Sequence, residues 1–376
     1  MNFDFTEEQQ MIRDSIARFV QDDYDWDTRK AIVESDKGMS DAAWQQFAEL
    51  GWLSIPFAEE DGGFGGSIVD TSVIMEEIGK GLIVEPYLAT VVLYGNLIAK
   101  AGNEAQRAAL LPEVIDGSAL GTFAYVERQS RFEITDCKTT AQNNGGAYTL
   151  SGEKVVVSNG TNADKAVVLA RTSGEQFDRD GLSLFVVDLN GAGVERFGYP
   201  MMDGQRCANL TFNNAPAELI GEEGSAMGVV DAVVREATIA VAAEAVGCMG
   251  TLNAKTLEYT KQREQFGVRI STFQALKHRM VDTMMAFEQA KSLLFKAMCE
   301  FNEAPEKADL TIHALKVLID RNAKLVYGEA IQLHGGMGIT DELDIGHYAK
   351  RLMMINSTFG DATYHRNHYA SKTYSA

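Results

Sequence analysis

The apolar residues of this chain change their period twice. Phe3, Phe5, Met11, Ile12, Ile16 and Phe19 recur at near-helical spacing, and Thr6 ahead of Glu7 and Glu8 suits a helix start. Met39-Ser40-Asp41 opens a second helical stretch around Trp44, Phe47 and Leu50, which Gly51 stops. Another helix runs through Val73, Ile74, Glu76, Ile78 and Gly79. The middle of the chain switches to short β-branched runs. Val167-Val168-Leu169-Ala170, Leu184-Phe185-Val186-Val187 and Asn209-Leu210-Thr211-Phe212 read as strands, and residues 147–158 as two strands around a Ser151-Gly152 turn. Turn residues separate these runs, not helices, which indicates antiparallel sheet. Helical period returns near residue 226. There Ile239, Ala242, Ala243, Val246 and Gly247 form a small-residue face for close helix contact, and Met280, Met284, Phe287, Leu294 and Met298 form a stripe expected in a bundle core. The expected class is α+β, with an N-terminal helical domain over residues 1–118, a central antiparallel β domain over 119–225 and a C-terminal helical domain over 226–376.

Composition narrows the partners. Of 376 residues, 45 % are hydrophobic and 23 % charged, which excludes a disordered or fibrous chain. Lys and Arg number 34 against 53 Asp and Glu, and the net charge of −19 argues against nucleic acid or an anionic membrane surface. An anionic ligand would need a local basic site. No apolar run predicts a membrane span. Cys137, Cys207, Cys248 and Cys299 lie far apart without a metal-ligand spacing, so no metal site and no disulfide framework is expected, as in a reducing cytoplasm. Met1 to Gln10 lacks the basic and apolar parts of a signal peptide, and Thr373 to Ala376 is no lipidation box.

Three segments carry candidate chemistry. Gly62-Gly63-Phe64-Gly65-Gly66 has the glycines of a phosphate loop, but no strand precedes it and no Gly-Lys-Ser/Thr follows, so a tight connection between helices is the better reading. His334-Gly335-Gly336-Met337-Gly338, after Gln332 and Leu333, ends a helix; it is either a plain cap or a set of backbone amides open to a ligand. In Lys261-Gln262-Arg263-Glu264-Gln265-Phe266-Gly267, Arg263 offers a planar fork to a phosphate beside a turn, with Phe273-Gln274 starting the next helix.

Taken in order, Gly62–Ser67 after Glu59-Glu60, Gly152-Glu153-Lys154, Tyr259 to Gly267, Phe273-Gln274-Ala275 and Gln332 to Gly338 resemble the acyl-CoA dehydrogenase superfamily over essentially the whole chain. The resemblance implies a C-terminal four-helix bundle, FAD, an acyl-CoA thioester substrate, an electron-transfer flavoprotein as acceptor, and dimers or dimers of dimers. It implies that Arg263, Gln265, Phe266, Gln332, Leu333, Gly335 and Gly336 reach the FAD of a neighbouring subunit. The chain is most similar to small subunits of two-component enzymes of the pimeloyl-CoA dehydrogenase type. Glu127 to Phe132, Lys154 to Asn159, Asp341-Glu342-Leu343, Gly346-His347-Tyr348 and Phe359 to Ala362 carry that likeness. It implies a larger homologous partner in an α2β2 assembly.

Departures from the family pattern are concentrated at the chain's own flavin and base. Where common members have Tyr-Glu-Gly-Thr, this chain has Phe359, Gly360, Asp361 and Ala362, so Gly360 takes the place of the base and Asp361 is the nearest carboxylate. Asp361 is a candidate base or a helix cap. Other members carry the base near Glu236 and Ala237; Glu244, about two turns on, is a second candidate or half of a buried ion pair. Val126-Glu127-Arg128 replaces Thr-Glu-Pro, and Val156-Val157-Ser158-Asn159 replaces Trp-Ile-Thr-Asn, with Ser158 as the flavin contact that remains. Arg128 and Arg131 are either anion contacts or solvated charges. The expectation is a subunit that completes a partner's FAD site. A self-sufficient enzyme using Asp361 and a catalytically silent subunit are the alternatives. The acyl group, whether steroid, dicarboxylate or fatty, is left open.

Overall fold

The structure is a computed structural model and describes residues 5–374. Phe3, counted in the first apolar pattern, lies outside them, as do Ser375 and Ala376. The chain begins with helices α1 (Glu7–Asp22), α2 (Trp26–Glu34), α3 (Asp41–Glu49), α4 (Ile68–Gly81), α5 (Asn96–Ala101) and α6 (Glu104–Ile115). Strands β1 (Gly121–Ala124), β2 (Thr140–Asn144), β3 (Ala147–Ser158), β4 (Lys165–Arg171), β5 (Leu182–Asp188), β6 (Val194–Pro200) and β7 (Arg206–Ile220) follow. The chain closes with α7 (Met227–Gln262), the short strands β8 (Glu264–Gln265) and β9 (Val268–Arg269), α8 (Gln274–Glu303), α9 (Asp309–His334), α10 (Ile345–Ser357) and α11 (Ala362–Tyr374). The order helical, β, helical is the one the apolar period predicts.

Local chemistry sets these boundaries. Thr6 and Gln9 form a reciprocal capping box at α1: the Thr6 hydroxyl accepts from Gln9 N–H at 3.2 Å, and Gln9 Oε1 accepts from Thr6 N–H at 3.1 Å. Ser40 caps α3 through Ala43 N–H, and Gly51 follows its end at φ 76°. The Gly62–Gly66 amides are consumed by the chain itself. Gly65 donates to Phe57 O at 2.7 Å and Gly66 to Ile55 O at 2.8 Å. A Cβ at Gly63 would stand 2.1 Å from Phe57 O. The loop is a tight connection, as its sequence context indicates, because its donors are spent on backbone.

Contacts divide the chain into two compact units. One contains the described parts of Met1–Lys30, Ile68–Ile83 and Thr238–Ala376; the other contains Ala31–Ser67 and Val84–Ala237. In the first, α9 packs against α8, α10 and α11, and α4 crosses α7 at glycines. A Cβ on Gly79 would lie 2.1 Å from Glu244 O, and one on Gly247 2.0 Å from Glu76 O. The small-residue face of α7 therefore does what its composition suggests. The apolar stripe of α8 does so only in part, with Met280 and Phe287 half-buried. Leu294 and Met298 are buried, but Met284 is 49 % exposed, beside Val281 at 56 % and Met285 at 51 %. Alanines at 286, 290 and 297 take the inward positions instead.

The second unit holds a seven-stranded sheet in the order β1-β4-β2-β3-β7-β5, with β6 on β7 and a further β4–β5 pairing. It is antiparallel except where β4 takes β1, and one residue of β2, as parallel partners. Residues 147–158 form one strand, not two. Its register shifts at Leu150/Ser151 and Lys154/Val157, so Ser151-Gly152 bends the strand without reversing it. Gly152 is required there, since a Cβ would meet Thr139 Cα at 2.7 Å.

Gly247→Ala is expected to lower stability by roughly 1–3 kcal/mol or more, because backbone on α4 blocks the added methyl. Gly328→Ala, in open space on α9, serves as control and should be neutral or slightly stabilising. Thermal unfolding of both variants checks this; equal Tm values would contradict the close crossing.

Candidate functional site

At one end of the helical unit, the β8–β9 hairpin and the end of α9 are joined through Tyr259. Tyr259 O accepts from Arg263 N–H at 2.9 Å, its ring stacks on His334 at 4.2 Å, and its hydroxyl donates to His334 O at 3.3 Å. The hairpin turns on Phe266 and Gly267, at φ 57° and 78°. A two-residue turn of the hand that suits twisted strands requires two such left-handed residues, and a bulky residue takes this conformation at a cost. Phe266 is 92 % exposed and meets Phe273 edge-on at 6.2 Å. Arg263 and Gln265 are exposed too, and Arg263 forms no ion pair among the described residues.

Helix α9 ends beside this hairpin. Gln332 is exposed, whereas Leu333 and His334 are buried. Gly335 (φ 60°) caps the helix by donating to Gln332 O, and nothing lies within 4 Å of a Cβ built at Gly335 or Gly336. Burial lowers the affinity of His334 for a proton, and its Nδ1–H donates to Ala330 O at 2.8 Å. The fold thus gathers Arg263, Gln265, Phe266, Gln332, Gly335 and Gly336 at one exposed end, with Leu333 turned inward.

The two candidate carboxylates of the same unit are both engaged. Asp361 Oδ1 accepts from Tyr364 N–H at 2.8 Å and so caps α11. Glu244 is buried in a bidentate pair with Arg351, at 2.5 and 2.7 Å. The turn before Asp361 passes through Phe359 (φ 58°) and Gly360 (φ 115°). Two groups that the sequence reading missed hold it. Lys316 Nζ donates to Ile355 O at 2.7 Å and Thr358 O at 2.8 Å. His365 Nε2–H donates to Phe359 O at 3.1 Å. One signal for Lys316 existed: it interrupts the buried α9 stripe of Ile312, Leu315 and Ile319.

In the sheet unit, Glu127 is a buried hub. Its carboxylate accepts from Lys154 Nζ at 2.8 Å, from the N–H groups of Lys138 and Thr139 at 2.8 and 2.9 Å, and from Gln129 Nε2 at 2.8 Å. Burial alone would raise its pKa; the Lys154 charge and these hydrogen bonds overcome that and hold it at about 2. Arg128 is taken up by Glu153 in an exposed bidentate pair, and Arg131 lies over the Phe132 ring at 5.4 Å. Ser158 is half-buried at the end of β3, where its carbonyl accepts from the Thr122 hydroxyl at 2.6 Å. Glu236 is paired with Lys100 at 2.7 Å and Asn96 at 3.0 Å. Among the described residues no group of three His, Cys, Asp or Glu is arranged to hold a metal ion, and no helix is long and apolar enough to cross a membrane.

Three family models match this chain in order. The acyl-CoA dehydrogenase N-terminal domain covers residues 6–118, the middle domain 122–215 and the C-terminal domain 227–373. A short-chain-specific acyl-CoA dehydrogenase of Megasphaera elsdenii is 31 % identical over 338 residues, which cover 85 % of this chain and 86 % of that protein. Among solved structures, a variant of the Tcur3481-Tcur3483 steroid ACAD superposes with a TM-score of 0.88 at 27 % identity, covering 97 % of each chain. PigA with FAD and proline superposes with a TM-score of 0.91 at 25 % identity, covering 99 % of each.

Glu127→Gln is expected to cost about 3–5 kcal/mol, because it strands the fully buried Lys154 ammonium. The contribution of Glu127 to stability is full above its unfolded pKa near 4.5 and is lost as pH falls from there towards about 2. Denaturant melts of wild type and variant along that pH range check both; parallel pH profiles would contradict the hub.

Proposed function

We propose that this chain, which belongs to the acyl-CoA dehydrogenase family, is one subunit of an enzyme that desaturates an acyl-CoA thioester between its α and β carbons, and that a larger homologous partner shares its FAD site. FAD is the cofactor. The residues of this chain fit part of its site. The open backbone at Gly335 and Gly336 admits close approach of a ligand, and Arg263 is an unpaired planar cation among the described residues. When bound, FAD supplies the acceptor for the hydride that leaves the β carbon.

The observation that carries the partner reading is the exposure of Phe266, at 92 %, with Arg263 and Gln265 beside it. A phenylalanine held at a strained turn with almost no contact of its own is suited to a surface on another chain. The same unit also exposes the apolar residues Val281, Met284 and Met285 of α8. In this role Arg263 binds an FAD phosphate through its fork, Phe266 offers a ring face, and the side-chain-free backbone at 335–336 lets the cofactor approach closely. Electrons then leave through an electron-transfer flavoprotein. The Tcur3481-Tcur3483 similarity supports a two-component enzyme and makes a steroid acyl-CoA the first substrate to try. Asp361 is this chain's candidate for the α proton; Glu244, locked to Arg351, serves the fold.

Flavin stoichiometry tests this. The chain purified alone is expected to hold well under one FAD per subunit, and co-expression with a homologous partner should restore it. Arg263→Ala in the complex should weaken FAD retention by about tenfold to a hundredfold, the loss of a charged hydrogen-bond pair. Full occupancy with turnover in the isolated chain would overturn the shared site and favour a self-sufficient enzyme. Asp361→Asn separates the bases: full turnover in the complex assigns proton abstraction to the partner.

A further inference from the structure

The turn between α10 and α11 occupies the place where common family members carry their base, and its own sequence explains only Gly360, not the left-handed Phe359 before it. Phe359 at φ 58° is strained, and Gly360 at φ 115° is held where a Cβ would meet His365 Nε2 at 2.8 Å. The explanation comes from α9 and α11. Lys316 is 1 % exposed, and its Nζ bonds two carbonyls at the end of α10, Ile355 O and Thr358 O. His365, 3 % exposed, bonds the next free carbonyl, Phe359 O. Its other nitrogen lies 2.9 Å from His313 Nδ1. With Nε2–H donating to Phe359 O, His365 Nδ1 must accept from His313 Nδ1–H, which fixes both tautomers.

We propose that Lys316 is a positioning residue for the turn that carries Asp361: by bonding the last carbonyls of α10 it fixes where the turn begins, and His365 fixes its next carbonyl, so Asp361 stands in one place at the head of α11. This rests on Asp361 being the chain's acid–base group. The donor count matches the role. Two carbonyls are presented, and a neutral amine has two N–H donors, so the clamp survives loss of the ammonium proton. Burial pulls Lys316 down to about 7; Arg351 on α10 acts in the same direction, while Asp320 on α9 and Asp361 oppose it. His365 is held neutral, at about 3, by burial and by Lys316, His313 and His368. The turn is therefore clamped at every pH near neutrality, but the charge beside Asp361 changes within that range.

The test uses the FAD-loaded enzyme as it assembles. Lys316→Met removes the donors, and Lys316→Gln keeps an uncharged donor. In Lys316→Met, hydrogen exchange in residues 355–365 should rise at least about tenfold while β4 and β5 stay protected, and kcat should fall by about tenfold or more with KM within about twofold. The wild-type kcat profile should show an ionisation near pH 7 that is absent in both variants, with Lys316→Gln closer to wild type in exchange and rate. Stability gives a second reading should Lys316→Met fold poorly. An unfolded chain keeps the lysine proton to about pH 10.5, so from about 7 to 10.5 it binds more protons and wild-type stability rises with pH. Lys316→Gln should lack that slope. Unchanged exchange in Lys316→Met overturns the clamp. Raised exchange with wild-type kcat and profile overturns its link to the reaction. If Asp361→Asn is fully active while Lys316→Met still loosens 355–365, the reading of Asp361 fails and the clamp stands.

Discussion

The helical unit depends on how closely α4 and α7 approach at Gly79 and Gly247, where each glycine lies against a carbonyl of the facing helix. No side chain fits between them, so the two backbones set each other's position to within a few tenths of an ångström. Cys248 Sγ donates to Gly79 O at 3.3 Å across the same contact. At that separation Glu244 is sealed from water and must be paired, and Arg351 on α10 meets it. The Tyr348 hydroxyl, also on α10, donates to Lys80 O. A steric constraint between two helices thereby becomes an electrostatic constraint on a third, and α10 delivers the turn that Lys316 and His365 hold.

The sheet unit solves a similar problem with two buried charges of opposite sign. Glu127 collects N–H groups from Lys138 and Thr139, while Arg171 donates to the carbonyls of Thr135, Cys137, Ser173, Gln176, Asp178 and Asp180. Backbone that lacks strand or helix partners is satisfied by side chains instead. Residues 127–139 are thus fixed without secondary structure. The replacements at Arg128 and Arg131 change side chains on a defined backbone; Arg128 is then neutralised by Glu153.

The acidity of the chain bears on its anionic ligands. Most basic groups near candidate segments are spent on carboxylates, as Arg128, Lys100 and Arg351 are. Arg263 is different, with no acidic partner among the described residues. A local cation acts at hydrogen-bond range, where a net charge of −19 spread over the surface is screened by salt.

The sequence alone determined what depends on neighbours a few residues away. The Thr6 and Ser40 caps, the Phe266-Gly267 turn, the stop at Gly335 and the helical-β-helical order all follow from local hydrogen bonds and side-chain period. The close-packing face around Gly247 was legible too, since small residues at helical spacing serve little else. Tertiary structure decided the rest. Whether Met284 is core or surface depends on which helices flank α8, and alanines took the inner positions. Whether Ser151-Gly152 reverses or bends a strand depends on β7 running past both sides of it. Whether Glu244 and Asp361 are available depends on Arg351, about a hundred residues from one, and on the α11 amides beside the other. The partners that fixed Asp361's turn, Lys316 and His365, sit on separate helices, and only packing could bring them to the same few carbonyls.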